Sequence, residues 1–148
     1  PKDFLLISGD DGLTIEVIKR GGVGVISVLA NLYPAETVEF VNLALEGNIN
    51  EAESKLQSLD GVIASLFEEG NPVGIKTALS LKGLCTNTMR PPLVSGSDTL
   101  PSKMETLTAE YEKYRYEALF YYTHNSACGS NFGISRDSRQ RPYICQYK

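Results

Sequence analysis

"FLLISGDDGLTIEVIKRGGVGVISVLAN", residues 4–31, is the stretch whose reading decides the fold. Phe4 to Ser8 is an apolar run that fits a strand covered on both faces. Gly9-Asp10-Asp11 follows, and either carboxylate can cap the helix that comes next, with Leu13, Val17 and Ile18 as its apolar stripe. Gly21-Gly22 ends that helix, because glycine accepts the left-handed conformation that closes a helix C-terminus. Val25 to Leu29 is a second run apolar on both faces. Strand, helix and strand with joints this short predict a βαβ arrangement and an α/β class.

Working outward, Pro34 suits a first helical turn, and Val38, Val41 and Leu45 mark a helix that Gly47-Asn48 stops. That completes two consecutive βα units. Ala52, Leu56, Leu59, Ile63, Leu66 and Phe67 then keep helical spacing up to Gly70. Asn71-Pro72 opens a further helix through Ile75, Leu79 and Leu81, closed by Gly83. Two prolines make Met89 to Val94 an extended segment. From Pro101, Met104, Leu107, Tyr111, Tyr114 and Ala118 step by three and four along an amphipathic helix. After about Thr123 periodicity vanishes, and the polar, glycine- and serine-rich remainder is expected to be a loose tail.

With 148 residues the chain is long enough for one domain with a real core. A net charge of −4 and a pI near 5.0 argue against a general binder of nucleic acid or of acidic membranes. No apolar run approaches the roughly 20 residues of a membrane helix. Residues 1–15 lack the basic start and cleavage site of a signal peptide, and the three cysteines form no close pair. The expectation is a cytoplasmic protein. Charge is uneven: residues 1–100 carry a net −6 and residues 101–148 a net +2.

Four segments in order carry a family resemblance. They are Ser8-Gly9-Asp10-Asp11; Gly24-Val25-Ile26-Ser27-Val28 with Ala30-Asn31 and Pro34; Asn71-Pro72-Val73-Gly74-Ile75-Lys76; and Arg90-Pro91-Pro92-Leu93-Val94. Together they resemble the C-terminal part of the dihydrodipicolinate synthases (4-hydroxy-tetrahydrodipicolinate synthases), pyruvate-dependent class I aldolases built on a (β/α)8 barrel, over residues 3 to about 112. The resemblance implies that residues 1–48 are barrel strands seven and eight with their helices. Residues 49–122 would be an α-helical C-terminal extension, and residues 123–148 have no counterpart.

It also implies chemistry. The catalytic face of such a barrel lies where strands end and loops begin, and Asp10 and Asp11 follow such an end. By resemblance, Gly9 and the backbone carbonyl of Ile26 line the pyruvate pocket. There a glycine lets the backbone approach substrate, where a Cβ would take up the space. Asp10 stands between substrate contact and helix capping, whereas for Asp11 capping is the expectation. The family's Schiff-base lysine, its proton-relaying tyrosine and its threonine-rich carboxylate cradle all precede strand seven. The expectation is therefore a pyruvate-pocket wall with no catalytic residue of its own, and with no metal or cofactor.

Other features are weighed against plainer explanations. Gly74-Ile75-Lys76 looks like a Schiff-base strand but follows Asn71-Pro72 with helical spacing, which makes Lys76 an interface or surface lysine. His124, Cys128 and Cys145 are too scattered for zinc, and Cys85 fits a buried small residue. The set Tyr111, Tyr114, Tyr121 and Tyr122 fits packing before catalysis. Arg136, Arg139, Arg141 and Lys148 make a mildly basic, solvated end. Gly21 to Gly24 end a helix instead of opening one, unlike a dinucleotide fingerprint.

Glu16, Lys19 and Arg20 depart from the apolar helix usual in the family and put its tetramer in doubt. Two strands cannot close a barrel, so self-association or pairing with the missing barrel half is expected. The competing readings are a non-catalytic assembly module and a truncated gene product without selected function.

Overall fold

Among the described residues the chain forms three short parallel strands and a larger set of helices. The computed structural model describes residues 3–125 and 143–145. Strand β1 (Ile7–Ser8) is followed by α1 (Thr14–Lys19) and β2 (Gly24–Ile26). A 3-10 turn at Leu29–Asn31 then leads into α2 (Pro34–Leu45). The helices α3 (Ile49–Gln57), α4 (Asp60–Glu68), α5 (Val73–Leu81) and α6 (Leu100–Asn125) follow, and β3 is Tyr143–Cys145. Sheet order is β1-β2-β3, all parallel. Ile7 and Ser8 are in register with Gly24 and Val25, while Gly24, Val25 and Ile26 face Tyr143, Ile144 and Cys145. No described helix is long and apolar enough to cross a membrane.

The helix ends follow from glycine. Gly21, Gly47 and Gly83 have positive φ, and each closes its helix with a pair of backbone bonds. For α2 these run from the Gly47 N–H to the Ala44 carbonyl (3.1 Å) and from the Asn48 N–H to the Leu43 carbonyl (2.8 Å). The same pairs recur at Gly21-Gly22 and at Gly83-Leu84. These are Schellman closures, which need a left-handed residue just past the helix.

Several local expectations are corrected by burial. β1 is only two residues long, and Phe4, Leu5 and Leu6 are exposed instead of covered. Just before Ile7, the Leu6 carbonyl accepts the Val23 N–H at 2.8 Å. On α1 the buried residues are Thr14, Ile15 and Ile18, while Leu13 is 58% exposed. Leu13, Glu16 and Arg20 are spaced by three and four, so they share one face, and that face carries the Arg20–Glu16 ion pair at 2.7 Å. On α2 the core face is Thr37, Phe40, Val41 and Ala44, so Val38 and Leu45 fall beside it. The helical run from residue 49 to Gly70 divides in two at Ser58-Leu59, where the Leu59 N–H bonds the Leu56 carbonyl in a tightened turn.

Met89 to Val94 is irregular but not extended throughout. The chain turns at the cis Pro91–Pro92 peptide, and the Leu93 N–H donates to the Arg90 carbonyl at 3.1 Å. Cys85 is exposed, because it lies past Gly83 in the loop instead of on a packed helix. Of residues 123–148, Thr123, His124 and Asn125 lie within α6 and 143–145 form β3, and the rest of the expected loose tail lies outside the described residues. Cys128 and the arginines at 136, 139 and 141 lie outside the described residues, as do the side chains of the tyrosines at 121 and 122.

The core is one cluster: Val25 and Leu29 from the strand end, Phe40 and Val41 from α2, Leu56, Leu59 and Leu66 from α3 and α4, and Met104 from α6. Each such side chain contributes on the order of 1.5–3 kcal/mol by leaving water. Where α2, α5 and α6 meet, the Tyr33 ring packs edge-on against Tyr111, with the Lys82 ammonium 5.1 Å above the Tyr33 ring. Glu112 accepts from the Tyr33 hydroxyl and pairs with Lys82. Exposed ion pairs join the helices further out, Lys19–Glu53 (3.2 Å) between α1 and α3 and Lys55–Glu39 (2.9 Å) between α3 and α2. Glu16, Lys19 and Arg20 on α1 are thus paired within the chain.

Candidate functional site

The carboxyl ends of β1 and β2 lie next to each other, and each ends in a hydrogen-bonded corner. At the end of β1, the buried Ser8 hydroxyl donates to the Asp10 carbonyl at 2.8 Å. The Thr14 hydroxyl donates to that carbonyl as well, at 3.0 Å. Asp10 Oδ1 accepts the Leu13 N–H at 3.0 Å in the turn that leads into α1, while Asp10 remains exposed. Continuing the strand register by one residue sets Gly9 beside Ile26. A Cβ built on Gly9 meets no atom within 4 Å, so the space in front of it is open. Ile26 is 40% exposed at the end of β2.

Asp11 does something the sequence did not reveal. It is 1% exposed, and its carboxylate turns away from α1 toward the end of β2. Oδ1 accepts the Ser27 hydroxyl at 2.5 Å, and Oδ2 accepts the N–H groups of Val28 and Leu29, both at 3.0 Å. Ser27 Oγ in turn accepts the Ala30 N–H at 2.8 Å. Asn31 Nδ2 donates to the Val28 carbonyl at 3.0 Å. Hydrogen bonds to a charged group are worth about 1.5–3 kcal/mol each, and three of them tie this buried carboxylate to the end of β2.

The corner also explains why β2 stops at Ile26 and not at Leu29. Ser27 and Asp11 take the hydrogen bonds that a continuing strand would give its neighbours, and the chain turns into the 3-10 segment. The expectation that Asp11 caps α1 by its side chain is thereby corrected. The sequence carried one trace of this, since Ser27 interrupts an otherwise apolar run.

Gly9, Asp10 and Ile26 are thus brought to one end of the sheet. Lys76 lies on α5, where its ammonium donates to the Thr88 carbonyl. Among the described residues no three His, Cys, Asp or Glu side chains gather as metal ligands would.

This geometry sits within a stretch that matches known proteins. Residues 1–110 match the model of the Dihydrodipicolinate synthetase family. The 4-hydroxy-tetrahydrodipicolinate synthase of Cytophaga hutchinsonii is 41% identical over 118 residues, which are 77% of this chain and 40% of that protein. A solved 4-hydroxy-tetrahydrodipicolinate synthase from Methylacidiphilum fumariolicum superposes with a TM-score of 0.75 at 35% identity, over 81% of this chain and 40% of that one. The chloride-inhibited dihydrodipicolinate synthase of Acinetobacter baumannii, solved in complex with pyruvate, gives a TM-score of 0.71 at 27% identity, over 74% of this chain and 38% of that one. The chain spans about 40% of the length of the curated relatives it matches. With the Ser-Gly-Asp-Asp and Gly-Val-Ile-Ser corners set side by side within the matched residues, this chain belongs to the dihydrodipicolinate synthetase family.

Proposed function

We propose that this chain supplies part of a pyruvate-dependent class I aldolase resembling 4-hydroxy-tetrahydrodipicolinate synthase. It corresponds to the last two βα units of a (β/α)8 barrel and the helical extension that follows them. Gly9 and the Ile26 carbonyl form a wall of the pyruvate pocket, with Asp10 at its rim. The lysine that captures the keto acid as a Schiff base lies on a different stretch of polypeptide, so the chain is inactive alone. One observation carries the reading: Gly9, with open space where its Cβ would stand, directly follows β1, and the part-exposed Ile26 ends the adjacent parallel strand β2. In a barrel of this kind that end is the catalytic face. The Acinetobacter relative, solved with pyruvate, supports the choice of substrate.

The chemistry defines the test. An amine adds to the keto carbon of pyruvate and water leaves, giving an iminium that borohydride reduces to a stable secondary amine. The purified chain treated with pyruvate and borohydride should show no gain in mass. Mixed with the separately produced preceding portion of the Cytophaga enzyme, it should promote labelling on that portion. A label on this chain by itself, or none in a soluble complex of the two, would refute the proposal.

A further inference from the structure

We infer that Asp11 is a positioning residue for the pyruvate pocket, holding the end of β2 so that the Ile26 carbonyl stays opposite Gly9. The inference rests on the pocket reading above and adds to it a residue that does not itself touch substrate.

Asp11 follows Gly9 by two residues and binds the three residues that follow Ile26. Each pocket group therefore lies within a few bonds of one buried carboxylate. The two corners are otherwise tied separately: Ser8 and Thr14 hold the Asp10 carbonyl on the β1 side, and Asn31 holds the Val28 carbonyl on the β2 side. The Asp11 carboxylate bridges them.

All three of its partners are donors, a hydroxyl and two backbone N–H groups. A carboxylate, with acceptor sites on both oxygens, satisfies them; a carboxamide has one acceptor oxygen and would turn an N–H donor toward another donor. Asp11→Asn is nearly isosteric, so it alters this donor–acceptor match with little change in volume. Val28 and Leu29 are themselves buried, so their N–H groups have no ready access to water in place of the lost acceptor.

Two measurements test the role. In the chain alone, amide exchange at Val28 and Leu29 should speed up at least tenfold in Asp11→Asn, while amides of α4 and α6 keep their rates and show the fold intact. In the mixture with the preceding portion of the Cytophaga enzyme, the pyruvate concentration that half-saturates borohydride labelling should rise at least tenfold, with the labelling rate at saturation preserved. Ser27→Ala should move it in the same direction, and Ser27→Thr, which keeps a hydroxyl, should stay within about threefold of the unaltered chain.

A half-saturation unmoved by Asp11→Asn, or unchanged exchange at Val28 and Leu29, overturns the positioning role while leaving the pocket reading standing. No labelling with the unaltered chain overturns the pocket reading, and this role with it.

Discussion

The rings of Tyr33 and Tyr111 meet edge to face, their centroids 5.0 Å apart and their planes at 61°. Tyr33 precedes α2 and Tyr111 lies on α6, so this contact fixes the long last helix to the helix that follows β2. Burial, reinforced by Glu36, pushes the Tyr111 hydroxyl up to about 12. Burial and then Glu112 raise that of Tyr33 further. A tyrosine that holds its proton more tightly in the folded chain leaves stability intact below the unfolded value of 10.0. Above that value the unfolded chain ionises first, so stability falls as pH rises toward the folded value, by up to about 1.4 kcal/mol per pH unit for each tyrosine. Urea denaturation at a series of pH values from 9 to 12 should show this decline. Tyr111→Phe keeps the ring contact and should flatten the decline.

Gly74 packs α5 directly against the backbone of α4. A Cβ there would lie 2.2 Å from the Leu66 carbonyl oxygen, a backbone atom that cannot swing aside. Gly74→Ala should therefore destabilise the chain by about 1–3 kcal/mol or more, since overpacking forces the two helices apart. A urea midpoint unchanged from that of the unaltered chain would show that the helices separate freely.

At the start of α6, burial is expected to outweigh charge. Met104 is fully buried, whereas the Lys103–Glu68 pair beside it is about half exposed at both ends. Met104→Ala should cost about 2–5 kcal/mol through lost burial and a residual cavity. Lys103→Ala should cost less than about 1 kcal/mol, as expected for a solvated ion pair. Paired denaturation curves read both, and a reversal of their order would mean that surface charge holds the helix.

β3 lies along the edge of β2 that faces away from β1. Removing residues 126–148 should uncover that edge and increase self-association, because an unpaired strand edge is a template for another chain. Light scattering after size exclusion, comparing the full chain with one ending at Asn125, gives the readout. Equal masses across a concentration series would show that β3 does not shield β2.

Local geometry was legible from residue type alone. Gly21, Gly47 and Gly83 end helices because a left-handed backbone is accessible to glycine at little steric cost, and Pro34 begins one because its fixed φ suits a first turn. The order of strand, helix and strand, and the motifs that place the chain in its family, are likewise properties of neighbouring residues. For the candidate site, the resemblance gave an expectation: Gly9 and Asp10 follow the first apolar run and Ile26 lies in the second.

What the tertiary structure decided is where each side chain ends up once distant segments meet. Leu13 shares a face with Glu16 and Arg20 and stays in water; Cys85 lies in an exposed loop; Tyr143–Cys145 returns to flank a strand more than a hundred residues earlier. Asp11 leaves the helix beside it for Ser27, Val28 and Leu29. Helix caps and turns are set by bonds a few residues apart, which a short window of sequence contains. A buried carboxylate is set by the donors that folding brings to it, and no window around Asp11 names them.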